Sequence, residues 1–286
     1  MMEYQPFSVA MSVYKNDNPI FFDRALDSIT NKQTVKPSEI VLVVDGPVPD
    51  ETNKVIDKYS AQYNLKVIRL EANGGLGNAL RISTENCLNE LIARMDSDDV
   101  AVEDRFEQQL TYLSLNKNVD VVGGNISEFI DREDNLVSYR IVPTSDDALK
   151  QYLKKRCPFN HMTVMFRKAA LFKAGGYLDW HYNEDYYLWV RMCLHHCVFA
   201  NTGTILVNVR TGLQQFARRG GWTYYKSEKK LQRFMLTNKV ICFWTFANNC
   251  FKRFIFEVLL PNRLRGYVFS KFARSSNDKQ SKGASY

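Results

Sequence analysis

The densest chemistry in the chain stands in "IARMDSDDVAVEDRF", Ile92 to Phe106, where an apolar run stops at Met95 and Asp96, Asp98 and Asp99 follow at once. Acids near a helix N-terminus are modestly favourable, which accounts for one or two of them. Three carboxylates behind a buried strand also repel one another, and a hard divalent cation relieves that repulsion. Capping and cation binding both fit the pattern. A second acidic pair, Glu184-Asp185, opens "NEDYYLWVRM" and reads either as a helix cap or as a general base for an attacking hydroxyl.

Two further stretches suit phosphate. "NGGLGNALR", Asn73 to Arg81, is a Gly-rich turn entering a helix. It is either a tight turn that needs positive φ or a loop whose backbone approaches a phosphate. "QQFARRGG" sets Arg218 and Arg219 beside two glycines, and guanidinium forks match phosphate oxygens; a solvated basic loop is the plain alternative. Cys193 and Cys197, with His195 and His196 between them, resemble half a zinc site. No second ligand pair accompanies them, so buried or free thiols in a reducing compartment are expected.

Such residues act together only if a scaffold gathers them. "FSVAMSVY", "EIVLVVDG", "LKVIRLE" and "IARMD" read as strands, and between them "FFDRALDSITNKQ", "ETNKVIDKYSAQY" and "LGNALRISTENCLNELI" carry helical periodicity. This alternation predicts an α/β fold with a mostly parallel, Rossmann-like sheet covered by helices on both faces. Ligands then sit beyond the carboxyl ends of the strands, where Tyr14, Asp45 and the acid cluster all fall. The GxGxxG of a dinucleotide-binding dehydrogenase belongs after the first strand, which leads instead into "SVYKNDNP". Further on, "VEDRFEQQLTYLSL" predicts a helix, "VDVVGGNISEFI" a strand, "DREDNLVSYRIVPTSD" a loop or hairpin and "HMTVMF" another strand.

The 286 residues are 45% hydrophobic and 24% charged, ordinary for a folded chain with a sizeable core. The N-terminus has no basic segment ahead of its apolar run, and no apolar stretch is long enough to span a membrane, so a cytoplasmic location is expected. The net charge of +7 is uneven: from Thr211 onward 15 Lys and Arg face 3 Asp and Glu, leaving the rest at −5. A basic end on a mildly acidic body predicts an anionic partner. In "NKVICFWTFANNCFKRFIFEVLLPNRLRGYVFSKFAR", Phe243, Phe246, Phe254 and Val258 recur at helical spacing among Lys252, Arg253, Arg263, Arg265, Lys271 and Arg274. That mixture suits an anionic membrane surface, with a plain core helix as the alternative for its first half. No nucleic-acid module accompanies the charge.

In order and spacing, "SVAMSVYKND", "IVLVVDG", "NGGLGNALR", "ARMDSDD" and "GGY…NEDYYLWVRM" resemble the family 2 glycosyltransferases with the GT-A fold, over roughly Phe7 to Gly221. The resemblance implies an inverting transferase that binds a UDP-sugar and Mn²⁺ or Mg²⁺. It puts Tyr14 and Asp45 around base and ribose, with Asn73, Gly74, Gly77, Arg81, Arg218 and Arg219 on the nucleotide-sugar side. Asp96 and Asp98 match the DxD motif, Asp98 as direct metal ligand and Asp96 nearer the ribose. Asp185 corresponds to the base and Glu184 to its support, while His161 falls on the acceptor side. The chain has Ala79-Leu80-Arg81 where many relatives carry Ala-Arg-Asn. It also lacks the QxxRW of processive synthases, which implies transfer of a single sugar. "PFNHMTVMFRKAA" and "RTG…RRGG" look most like bacterial enzymes that build O-antigen, capsule or exopolysaccharide repeat units. The implied transfer is of Gal or Glc, in β1,3 linkage, to GlcNAc or GalNAc on undecaprenyl diphosphate at the inner face of the plasma membrane. The expected divisions are a GT-A domain over 1–221, with a nucleotide half to about 100 and an acceptor half beyond it. A basic helical membrane-associating extension follows over 222–274, then a disordered tail over 275–286. A sugar-nucleotidyltransferase needs a basic Gly-rich loop where Tyr14-Lys15-Asn16-Asp17 stands, and an inactive sugar-nucleotide-binding scaffold has no use for Asp185.

Overall fold

Buried aliphatic runs make the first half of the sheet. β1 (Phe7–Val13), β2 (Glu39–Val44), β3 (Leu65–Arg69) and β4 (Leu91–Arg94) lie in the order β3-β2-β1-β4 and pair in parallel, with Val13 opposite Val44 and Phe7 opposite Leu91. Every residue of β2 is buried, as expected of a parallel strand covered on both faces. The computed structural model describes residues 4–212 and 220–260.

The crossovers between these strands are helices with clear start signals. α1 (Pro19–Ile29) opens on Asn18, whose side chain accepts from the Ile20 and Phe21 N–H groups, with Pro19 in the first turn where no donor is needed. α2 (Asp50–Ser60) has Asp50 and Glu51 at its positive end and Lys58 in its last turn. α3 (Leu76–Glu85) follows the Gly-rich turn. It stops earlier than its periodicity suggests because Leu91 and Ile92 are drawn into β4 beside β1.

Beyond β4 the sheet turns mixed. The strands β5 (Val100–Ala101), β6 (Val121–Phe129), β7 (Leu136–Arg140), β8 (Met165–Arg167) and β9 (Phe199–Arg210) complete nine strands among the described residues. β8 runs antiparallel to β4 and β6, β9 is parallel to β6 and antiparallel to β5, and β7 forms the expected hairpin with β6. "HMTVMF" is a strand only in its second half. His161–Thr163 form a 3₁₀ turn instead, with the Thr163 hydroxyl donating to the Asn160 carbonyl at 2.7 Å.

Side chains alternate between two cores. Val9, Met11 and Val13 join Phe22, Leu26 and Phe106 on one face, under α1, α2 and α4 (Arg105–Leu115). Ala10 and Val41 face the other core, with Leu80 of α3, Leu149 of α5 (Asp146–Leu153), Leu171 of α6 (Lys168–Lys173) and Trp189 of α7 (Glu184–Leu194). That second core also takes Leu231 and Met235 of α8 (Trp222–Thr237), so this helix packs into the core rather than standing apart from it. α9 (Phe243–Arg253) packs on α8 through Asn249, whose amide donates to Gln232 Oε1 and the Lys154 carbonyl, both at 2.8 Å. Its outward side exposes Phe243, Trp244 and Phe251. No helix among the described residues is long and apolar enough to cross a membrane.

Candidate active site

Where β4 ends, the acid turn is held from below and from the side. Asp96 accepts an ion-paired hydrogen bond from Nη1 of Arg94, a side chain 2% exposed. Burial opposes the charge of this arginine, yet Asp96 and Asp99 hold it protonated above its ordinary value. Arg105, equally buried, donates to the Arg94 carbonyl at 2.6 Å and fixes the strand end. Asp99 accepts from the Arg210 N–H at 3.0 Å, which ties the turn to the end of β9. Buried and flanked by Asp98 and Asp96, its carboxyl is pushed well above the usual range. Asp98 is pushed up to about 6, first by burial and then by the charges of Asp96 and Asp17.

Asp17 is the site residue that sequence reasoning missed, because "YKNDNP" reads as an ordinary polar turn. Its Oδ2 accepts from the Tyr14 N–H at 3.0 Å and from the Ser97 hydroxyl at 2.9 Å, joining the loop after β1 to the acid turn. Arg94 was equally hidden inside "IARMD", where a lone arginine passes as part of an apolar run.

At the end of β2, Asp45 builds the Gly-rich loop. Its Oδ1 accepts from the Gly74 N–H at 2.7 Å, and its Oδ2 from the Gly75 N–H at 3.0 Å and the Asn73 amide at 2.9 Å. Gly46 must be glycine: its φ is +84° and a Cβ would stand 2.8 Å from the Asn73 nitrogen. Both carboxylate oxygens of Asp45 are thus committed to shaping the loop that the sequence associates with the nucleotide. Arg81 lies on α3, where Glu85 and Asn78 of the same helix take its guanidinium. Arg218 and Arg219 lie outside the described residues.

The second acid pair meets the same edge of the sheet. Glu184 and Asp185 occupy the first turn of α7. A Cβ on Gly77 would lie 3.4 Å from the Glu184 Cβ and 3.2 Å from the Leu178 carbonyl, so α3 and the start of α7 approach closely because position 77 is bare. Burial and then the Asp185 charge raise Glu184 to about 7, and Arg94 and Asp96 act on it from the acid turn. Asp185 Oδ1 accepts from the Tyr186 N–H at 2.6 Å, and its Oδ2 faces the Cys157 thiol at 3.5 Å. His161 lies beneath, its Nε2 2.7 Å from the Tyr177 hydroxyl. Burial, and secondarily Arg94, keep it well below its ordinary pKa and so neutral. It is packed against Tyr177 and Trp189, and 9% exposed.

The arrangement therefore offers a hard-oxygen donor set, a backbone-lined loop and a carboxylate pair around one edge. Among the described residues no three His, Cys, Asp or Glu side chains gather closely enough to hold a metal by themselves. A Mg²⁺-like ion is usually held by one or two carboxylates and completed by substrate phosphates, and Asp98 with Asp96 supplies that number. The mutual repulsion that lifts Asp98 is what a divalent ion would relieve.

Comparison with known proteins agrees with this geometry. The family described as glycosyl transferase family 2 matches residues 8–173. A UDP-Gal:alpha-D-GlcNAc-diphosphoundecaprenol beta-1,3-galactosyltransferase of Escherichia coli is 37% identical over 268 residues, 94% of this chain and 96% of the relative. The amylovoran biosynthesis glycosyltransferase AmsE of Erwinia amylovora is 38% identical over 234 residues, 82% of this chain and 86% of its own. Among solved structures, S. aureus TarS 1–349 in complex with UDP-GlcNAc aligns with a TM-score of 0.65, over 96% of this chain and 77% of that one. At 18% identity that likeness is one of fold.

Proposed function

The chain belongs to glycosyl transferase family 2 and has its GT-A fold, and from that premise we propose that it moves one hexose, galactose or glucose, from a UDP-sugar to a lipid-linked acceptor. The acceptor is GlcNAc or GalNAc on undecaprenyl diphosphate, the linkage is β1,3, and the product belongs to a bacterial surface polysaccharide. The full-length match to the E. coli galactosyltransferase supports the substrate classes. The observation that carries the chemistry is the convergence of the acid turn and the Glu184-Asp185 pair at one edge, both within reach of the Arg94 charge.

Each group then has a task. Tyr14 and the Asp45-shaped loop at Asn73, Gly74 and Gly77 receive the nucleotide, with Asp96 toward the ribose. Asp98 and Asp96 would hold Mn²⁺ or Mg²⁺, and the bound ion would supply positive charge to offset that of the diphosphate. Asp185 takes the proton of the acceptor hydroxyl as its oxygen bonds to the anomeric carbon and the bond to UDP breaks. Attack on the face opposite the leaving group converts an α-linked donor into a β-glycoside. Glu184 positions the base, and His161 supports the acceptor side through Tyr177.

A lipid-linked acceptor requires the enzyme to meet a membrane surface. The exposed Phe243, Trp244 and Phe251, beside Lys252 on α9, suit the headgroup region of an anionic bilayer. Arg263, Arg265, Lys271 and Arg274 lie outside the described residues and add charge of the same sign. The test is a panel of UDP-sugars incubated with synthetic GlcNAc- and GalNAc-diphosphate lipids and Mn²⁺, with products analysed by NMR. A β1,3-linked disaccharide lipid is expected; nucleotide hydrolysis without any glycoside product overturns the reading.

A further inference from the structure

The loop that leads into the acid pair carries backbone strain at a residue with an exposed ring. Four non-glycine residues among those described have φ in the left-handed region: Asp131, Tyr182, His196 and Lys239. Asp and His tolerate that region comparatively well, whereas a bulky tyrosine does not, and strained residues of this kind gather at ligand clamps and active sites. Tyr182, at φ 71°, stands two residues before Glu184.

The surrounding contacts hold it there. The Asn183 N–H donates to the Trp180 carbonyl at 2.9 Å, which closes the turn. Ser227 of α8 donates its hydroxyl to the His181 carbonyl at 2.6 Å and accepts from the Asn183 amide at 3.2 Å. The turn is thereby pinned while the Tyr182 ring stays 42% exposed. Its centroid lies 3.9 Å from that of His181 and 5.4 Å from that of Tyr224. At its other end the loop touches the nucleotide side, since the Leu178 carbonyl and Asp179 close over Gly77. Leu178 and Trp222 are also exposed. The loop thus forms the rim between the donor loop and α8, next to the carboxylate that must receive the acceptor's proton.

From this rim we infer an acceptor-sugar subsite: Tyr182, backed by His181 and Tyr224, stacks on the pyranose ring of the acceptor and presents its hydroxyl to Asp185. A pyranose has an apolar C–H face and a polar edge, which an aromatic face with a phenolic tip matches. The inference rests on the glycosyltransferase reading and deepens it on the acceptor side.

Tyr182→Gly provides a test with two opposed readouts, because glycine removes the ring and also removes the backbone strain. The expected result is a melting temperature equal to or above wild type, together with an acceptor KM raised by about tenfold, as for loss of one aromatic packing contact. The KM for the UDP-sugar should stay within about twofold. Tyr182→Phe, which keeps the ring, should restore most of the acceptor affinity. The probes are GlcNAc- and GalNAc-diphosphate on a short synthetic lipid. An unchanged acceptor KM in Tyr182→Gly overturns the inference, as does a lowered melting temperature with both KM values raised equally, which marks a structural residue. Wild type that transfers to neither probe overturns the functional reading itself and is told apart by that failure.

Discussion

Two acidic groups face each other across the candidate site, and their surroundings differ in kind. The acid turn has a fixed internal cation: Arg94 sits beneath Asp96, and Asp17 and Ser97 brace the turn from the side. Even so, Arg94 and the buried Arg105 do not offset the carboxylates of Asp17, Asp96, Asp98 and Asp99, and Asp98 and Asp99 remain lifted by burial and repulsion. The pair at Glu184-Asp185 has the N-terminal backbone of α7 and the Cys157 thiol instead, with the Tyr186 N–H and that thiol as the hydrogen-bond partners of Asp185 among the described residues. Environment thus sets two groups of carboxylates apart, and the proposed roles follow that difference: ion binding where positive charge is short, proton transfer at the pair.

This contrast can be broken most sharply at Asp185. Asp185→Asn should lower sugar transfer by about 10²- to 10⁴-fold, the usual worth of a positioned base, while UDP affinity stays within about twofold. Near-normal turnover would remove Asp185 from the proton's path. Asp98→Ala should do the reverse, weakening Mn²⁺-dependent UDP binding by about 100-fold, with the effect of EDTA lost in the variant. Calorimetric titration with and without chelator measures both. Equal UDP affinity in Asp98→Ala and wild type would erase the distinction between the two groups.

Arg94→Met probes the buried counter-charge. Breaking a buried ion pair from one side costs about 3–5 kcal/mol, read from urea unfolding. A loss of no more than about 1 kcal/mol would show that the turn does not depend on it. The smallest effect concerns pH. Glu184 ionises ordinarily near 4.5 and in the fold near about 7, so across that window the native state keeps a proton that the unfolded chain has released. Native stability contributed by this group therefore falls as pH rises. Glu184→Gln has no proton to lose, and its melting temperature should gain on wild type between about pH 4 and about pH 8, which brackets that window. A constant gap would contradict the assignment.

The first hundred residues were legible because their strands are buried runs that end on turn residues. β1 to β4 fall where the alternation of strand and helix put them, and Tyr14, Asp45, Asp96 and Asp98 stand at their carboxyl ends as expected. The rest of the sheet was harder to read. β9 runs through Asn201 and Gly203, which break its apolar pattern, and the antiparallel insertion of β8 depends on pairing partners far apart in sequence. Within the site, the residues that organise others were the ones overlooked. Arg94 and Asp17 act through neighbours that only folding supplies, and Asp99, for which the sequence suggested no separate role, accepts from the Arg210 N–H at the end of β9.

The bare position at Gly77 sets a spacing. The nucleotide loop and the acid pair belong to helices that meet there with no side chain between them. A methyl group at that point would stand 3.2 Å from the Leu178 carbonyl and 3.4 Å from the Glu184 Cβ, so the loop before α7 would have to give by some tenths of an ångström. In the proposed reaction that spacing separates leaving group from base, and its loss would detune an in-line displacement without removing any reacting group.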